Sequence, residues 1–126
     1  MKRTIPILLA ALCCLSVMPP PLLAHHGTAR FDMSHIVTMQ GTVTEFRWGS
    51  PHCYIHADVK DAQGKVRNWL LEAGSPLMLA RFRWDKNSVK PGDRVTLYGF
   101  SAKDGSAYMH LERIEFPDGR ALVGFP

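Results

Sequence analysis

Between Val37 and Ala73 the chain alternates apolar and polar residues almost without interruption, and two short breaks divide the run into three segments. In the first, Val37, Met39, Gly41 and Val43 share one face, and Thr38, Gln40, Thr42 and Thr44 the other. In the second, Cys53, Ile55, Ala57 and Val59 alternate with His52, Tyr54, His56 and Asp58. In the third, Val66 to Ala73, Trp69, Leu71 and Ala73 alternate with Asn68, Leu70 and Glu72. A period of two is the signature of a strand with one buried face. The breaks, Gly49-Ser50-Pro51 and Lys60 to Lys65 with its Gly64, carry turn chemistry. Three strands joined this tightly form a curled sheet that needs closing.

The first strand, Ile36 to Trp48, is longer than the usual strand of about 5–6 residues. Gly41 in its middle predicts a bulge or coil where the strand bends to serve two sheets, and a change of phase near Glu45-Phe46 predicts a second irregularity.

The remainder supplies the closing parts. Ser75 is a natural helix N-cap and Pro76 suits the first helical position, so a short helix is expected over Leu77 to Phe82, closing near Trp84. A poorly formed turn follows through Asp85 to Val89. Lys90-Pro91-Gly92-Asp93 then opens a strand from Arg94 to Phe100, Asp104-Gly105 marks a turn, and Tyr108 to Phe116 is the fifth strand. Pro117 to Arg120 closes that hairpin, leaving Ala121 to Phe125 as a sixth strand or tail. Three strands, a helix, then two strands is the order of the OB-fold. The expectation is an all-β domain with one short helix, a small OB-like five- or six-stranded Greek-key barrel over residues 36–126. A half-open β-sandwich is the competing architecture.

The first 24 residues read as a secretory signal peptide. Lys2 and Arg3 precede an uncharged apolar run from Ile5 to Val17, Pro19 to Pro21 break it, and Ala24 is a small residue at the cut. The run falls short of the roughly 20 residues that span a bilayer, which argues against an uncleaved anchor. Neither Cys13 nor Cys14 follows the small residue a lipoprotein site requires. Export points to a bacterial periplasm, with no stable membrane insertion once the leader is removed. Lys2 and Arg3 leave with it, and the remaining Lys and Arg are scattered among 11 acidic residues, which is no nucleic-acid footprint. Cys53 would be the lone cysteine left, so no intrachain disulfide is expected, and its place in an alternating strand reads as a buried small hydrophobe.

After the cut, His25 to His35 has neither strand nor helix period and reads as an irregular arm, pinned to the barrel by Phe31 or Met33. Cleavage after Ala24 would give His25 a free α-amino group beside its imidazole. Together these nitrogens can chelate one transition-metal ion, and nitrogen donors of this kind suit copper. The amine titrates near 7.7–8.0 in model peptides, about neutrality, so a metal displaces a weakly held proton. The candidate metal ligands are His25 and His26, with His52 at the bend as first choice for a third nitrogen and His35 as second. His56 lies about 13 Å along the strand from His52, too far to share an ion.

A second expectation needs no metal. OB-like barrels hold extended ligands across their second and third strands. Here that outer face would present Tyr54, His56, Asn68, Leu70 and Glu72, with Arg47 and Trp48 at the rim, a mixture suited to a glycan, a peptide or a partner protein. No enzyme is expected: the chain contains no Gly-x-Ser-x-Gly, Cys-x-x-Cys, His-Glu-x-x-His or phosphate loop.

Ala24-His25-His26, Ser50-Pro51-His52, Gly74-Ser75-Pro76 and Pro91-Gly92-Asp93 occur in one order along the chain. In these motifs it resembles a family of small exported bacterial proteins of unknown function that carry an Ala-His-His start, an Asn-Pro-His-like bend, and Gly-Ser-Pro and Pro-Gly-Asp motifs. Ser50 stands where that bend carries Asn. The resemblance implies export and a shared fold, and it assigns no activity.

Overall fold

A computed structural model of the chain describes residues 27–125. It contains six strands, β1 (Val37–Arg47), β2 (Tyr54–Lys60), β3 (Val66–Glu72), β4 (Arg94–Ser101), β5 (Tyr108–Glu115) and β6 (Ala121–Val123). One helix, α1 (Pro76–Ala80), joins β3 to β4, and a 3-10 turn, Thr28–Arg30, precedes β1. β1 pairs with both β2 and β4, and β3 closes the ring by pairing in parallel with β5. The result is a closed five-stranded barrel of OB-like topology with β6 added along β5. The sandwich alternative falls, because the contact between β3 and β5 leaves one continuous sheet.

β1 serves both neighbours as its length required: residues Val37 to Thr42 pair with β4 and Gly41 to Arg47 with β2. The register shift lies between Val43 and Glu45, where the sequence phase changes, and not at Gly41. Gly41 has a packing reason instead: a Cβ there would meet the Asp58 carbonyl at 3.0 Å. At the shift, the backbone of Val43 turns to Pro91-Gly92-Asp93. Its N–H donates to Asp93 O (2.9 Å) and its carbonyl accepts from Gly92 N (2.8 Å).

The inward residues of every strand meet in one core containing Val43, Ile55, Ala57, Leu71, Leu97, Leu111 and Ile114. Each large aliphatic side chain so buried contributes roughly 1.5–3 kcal/mol, which is how a small domain with no disulfide among its described residues holds together. Cys53 is buried among them as a free thiol. Burial raises its pKa above the ordinary thiol value, against a smaller opposing effect of the Gly49 carbonyl.

α1 begins as its cap predicts, with Ser75 Oγ accepting from Met78 N at 3.3 Å. It ends earlier than the apolar run suggested. Arg83 takes φ 66°, a left-handed conformation that terminates helices, and Trp84 N returns to the Leu79 carbonyl at 3.2 Å. Trp84 is buried and its indole donates to Val123 O at 2.8 Å, while Trp48 and Trp69 pack partly exposed against the core.

Candidate functional site

The bend between β1 and β2, which includes a cis Ser50-Pro51 bond, sets His52 at one end of the barrel. The ring sits half-buried beside the last residue of β3. His52 Nδ1 is 3.2 Å from the Ala73 carbonyl, and since a carbonyl can only accept, Nδ1 carries the proton. Nε2, the other ring nitrogen, faces Glu72 Oε1 at 3.6 Å, a lone pair in the neutral ring and a second N–H in the protonated one. The other carboxylate oxygen of Glu72 accepts from the Tyr108 hydroxyl. The two strands meet here because the parallel pairing of β3 and β5 sets Leu70 beside Tyr108 and Glu72 beside His110.

The arm is laid against this end. Phe31 is buried, with its ring edge-on to Tyr108 at 5.1 Å and 5.4 Å from His110, while Met33 is exposed. Backbone bonds from Asp32 N to Ser101 O and from Lys103 N to Arg30 O stitch the arm to the β4–β5 hairpin. Arg30 lies over the Tyr108 ring at 5.2 Å. Gly27, the first described residue, thereby lines the same cleft as His52. That cleft, of about 660 Å³, is bounded also by Arg30, Pro51, Tyr54, Glu72 and Tyr108. Burial, and then the Glu72 charge, raise the Tyr54 pKa, so its hydroxyl stays protonated.

Behind the cleft sits His110, buried beneath Phe125. Burial first, and His52 second, push its pKa below the ordinary histidine value. Glu112 Oε1 is 3.5 Å from its Nε2, and burial raises the Glu112 carboxyl pKa.

His52 and Glu72 therefore belong to one site, while the other residues picked out by the sequence divide. His25 and His26 lie outside the described residues. His35 is exposed in a local group with Asp32 and Ser34, 3.5 Å from the Asp32 carboxylate, and does not line the cleft. Tyr54 joins the cleft. His56 and Asn68 stay on the strand face, where Asn68 also bonds Asp58 and Thr44. Arg47 is paired with Glu45 at 2.6 Å, and Trp48 packs on Phe46. Arg30, Tyr108 and His110 carried no signal in the sequence reading beyond the alternation of Tyr108, His110 and Glu112 along one face of β5.

Among the described residues no three His, Cys, Asp or Glu side chains converge as a metal shell. His52 Nε2 and Glu72 Oε1 form at most half of one, in donor types that suit copper or zinc. A wider groove of about 890 Å³ runs along the middle of β1 past Asp58, Lys60, Arg94 and Glu115, and neither His nor Cys lines it.

Fold and site together define a small closed barrel with a polar rim cleft guarded by its own N-terminal arm. The chain belongs to a family of unknown function, DUF6152, whose model matches residues 11–110. No curated protein and no solved structure matches it.

Proposed function

We propose that this is an exported binding protein that holds one transition-metal ion, copper in the first instance, at the barrel rim, and works by binding without turnover. The observation that carries this reading is the facing of His52 Nε2 and Glu72 Oε1 at 3.6 Å, each held by a partner on its far side. An imidazole nitrogen and a carboxylate oxygen facing one another this way favour a cation between them, and a transition-metal ion can take the place of a proton there. Two ligands sharing one ion through bonds of about 2.0–2.1 Å stand roughly 3.3 Å apart at the tetrahedral angle, close to the separation here. Outer hydrogen bonds that fix a ligating ring and carboxylate are the usual support of such a pair.

The missing nitrogens would come from His25 and His26. Gly27 directly follows them and lines this cleft, so they need no long reach. The leader's charged start, apolar middle and Ala24 support export to a periplasm, where the cut would free the His25 amine. A Cu(II) titration of processed protein, beside a form with one extra residue ahead of His25, tests the reading. Tight binding that the extension abolishes supports it; equal binding by both forms overturns it.

The size of the cleft favours one second reading. About 660 Å³ exceeds what one ion needs and falls in the range of small-molecule sites. Arg30, Tyr54 and Tyr108 would then hold the anionic or planar part of a small ligand, or of a peptide or glycan end, with His52 and Glu72 bonding its polar groups. Ligand screening on metal-free protein, with Arg30→Ala as the control, distinguishes it.

A further inference from the structure

α1 is fixed to the barrel by one side and presents an unusual surface on the other. Leu79 is fully buried, and Trp84 anchors the segment that follows. Facing outward, Leu77 is 74% exposed, Phe82 43% and Met78 41%. Leu77 and Met78 on the helix and Phe82 just past its end leave apolar surface exposed among the described residues.

The same segment carries exposed cations. Arg81, Arg83 and Lys86 are all exposed, and Asp85 is the acidic residue among them. Its carboxylate is turned into its own loop, accepting from Asn87 N at 2.7 Å. Arg83 adds an independent observation. Among the described residues it is the one non-glycine with positive φ, 66°, at a helix end where glycine would take that conformation without penalty. A cationic side chain there also suits the carbonyl end of the helix, and its exposed guanidinium remains open to solvent beside Phe82 in sequence.

We propose that the α1 tip docks on an anionic lipid surface, with Leu77, Met78 and Phe82 entering the headgroup boundary and Arg81, Arg83 and Lys86 meeting lipid phosphates. Apolar residues backed by cations are the general pattern of interfacial membrane contact. With five helical residues against the about 20 needed to cross a bilayer, the contact is with the surface.

The test is flotation of the protein, in the form the producing cell leaves it, with vesicles of phosphatidylcholine alone or mixed equally with phosphatidylglycerol. Any contribution of residues 1–24 is then common to wild type and variants. Binding is expected to the anionic vesicles and to weaken with salt. Leu77→Asp with Phe82→Asp should abolish it, and both sites are exposed, so folding should survive, as circular dichroism can verify. Arg81→Gln with Arg83→Asn should weaken it on the order of thirtyfold, at about fivefold per charge. Binding that persists in the Leu77→Asp, Phe82→Asp variant, or that is equal on neutral vesicles, overturns the proposal. So does a concentration-dependent dimer that these substitutions abolish, which would assign the tip to a second copy of the chain.

Discussion

The ring of Phe125 lies stacked on that of His110, with centroids 3.9 Å apart and planes 15° from parallel. His110 belongs to the outer face of β5, so the barrel carries a second small apolar layer outside its core, made of Phe31 from the arm and Phe125 from the tail. The tail is held by Gly124, whose N–H donates to Glu112 O and whose carbonyl accepts from Gly74 N, both at 2.8 Å. This outer layer supports the cleft, because His52 also touches Phe125, with centroids 5.9 Å apart.

Burial of His110 makes stability depend on pH. Its folded pKa lies below the ordinary histidine value of 6.5, so above that value both states are neutral and the full stability is present. As pH falls below about 6.5 the unfolded chain takes the proton first, and stability declines toward the folded pKa. Glu112, whose folded pKa is raised, works in the opposite direction at lower pH. Thermal melts from pH 8 to 5 with a chelator present should show a smaller decline in His110→Gln than in wild type. An identical slope in both would show that His110 is not the responsible group.

Gly124→Ala should be costly. A Cβ at that position would collide with the Leu111 carbonyl, a backbone atom with no room to give. A loss of about 1–3 kcal/mol is expected from urea unfolding, the range for overpacking a tight contact. Gly49→Ala, where the added carbon meets nothing within 4 Å, should stay within about 0.5 kcal/mol of wild type.

Tyr108→Phe separates support of the site from support of the fold. It removes the hydroxyl that donates to Glu72 and leaves the aromatic packing with Phe31. Copper affinity should fall by roughly 10–100-fold, as for other partners of ligating groups, with little change in melting temperature. His52→Ala should weaken binding at least as much while the barrel stays folded. A large stability loss in His52→Ala with unchanged copper binding would make His52 a structural bend residue.

Cys53 should be inert until the barrel opens. It is fully buried and burial raises its pKa, so little thiolate reaches solvent. Alkylation by iodoacetamide should be slow in buffer and fast in denaturing urea. Rapid labelling of the native protein would contradict the packing described for the start of β2.

How far the site could be read from the chain differs residue by residue. His52 stood out because a histidine after Gly-Ser-Pro sits at a bend by local turn chemistry. Glu72 was visible as an outward residue of the third strand, yet nothing nearby in sequence linked it to His52. Tyr54 pairs with Glu72 across the β2–β3 ladder, which a hairpin register already implies. Tyr108 and His110 reach Glu72 through the parallel contact of β3 with β5, with a helix and a whole strand intervening. The end of α1 was misjudged for a related reason: Leu77 to Phe82 is apolar, but half of that surface faces water, and Arg83 ends the helix by a conformation Arg rarely takes.

Sequence alone determined the strands, their turns, the helix cap and the inward face of each element, because each follows from a period or a residue preference spanning a few positions. From these came the barrel and its strand order. Tertiary structure alone decided which outward residues meet. Closing the ring sets β3 against β5 and folds the arm and tail over the seam, and no local preference encodes a contact between residues so far apart in the chain. The pairing of His52 with Glu72, the burial of His110 and the cationic apolar tip at α1 all arise at that level.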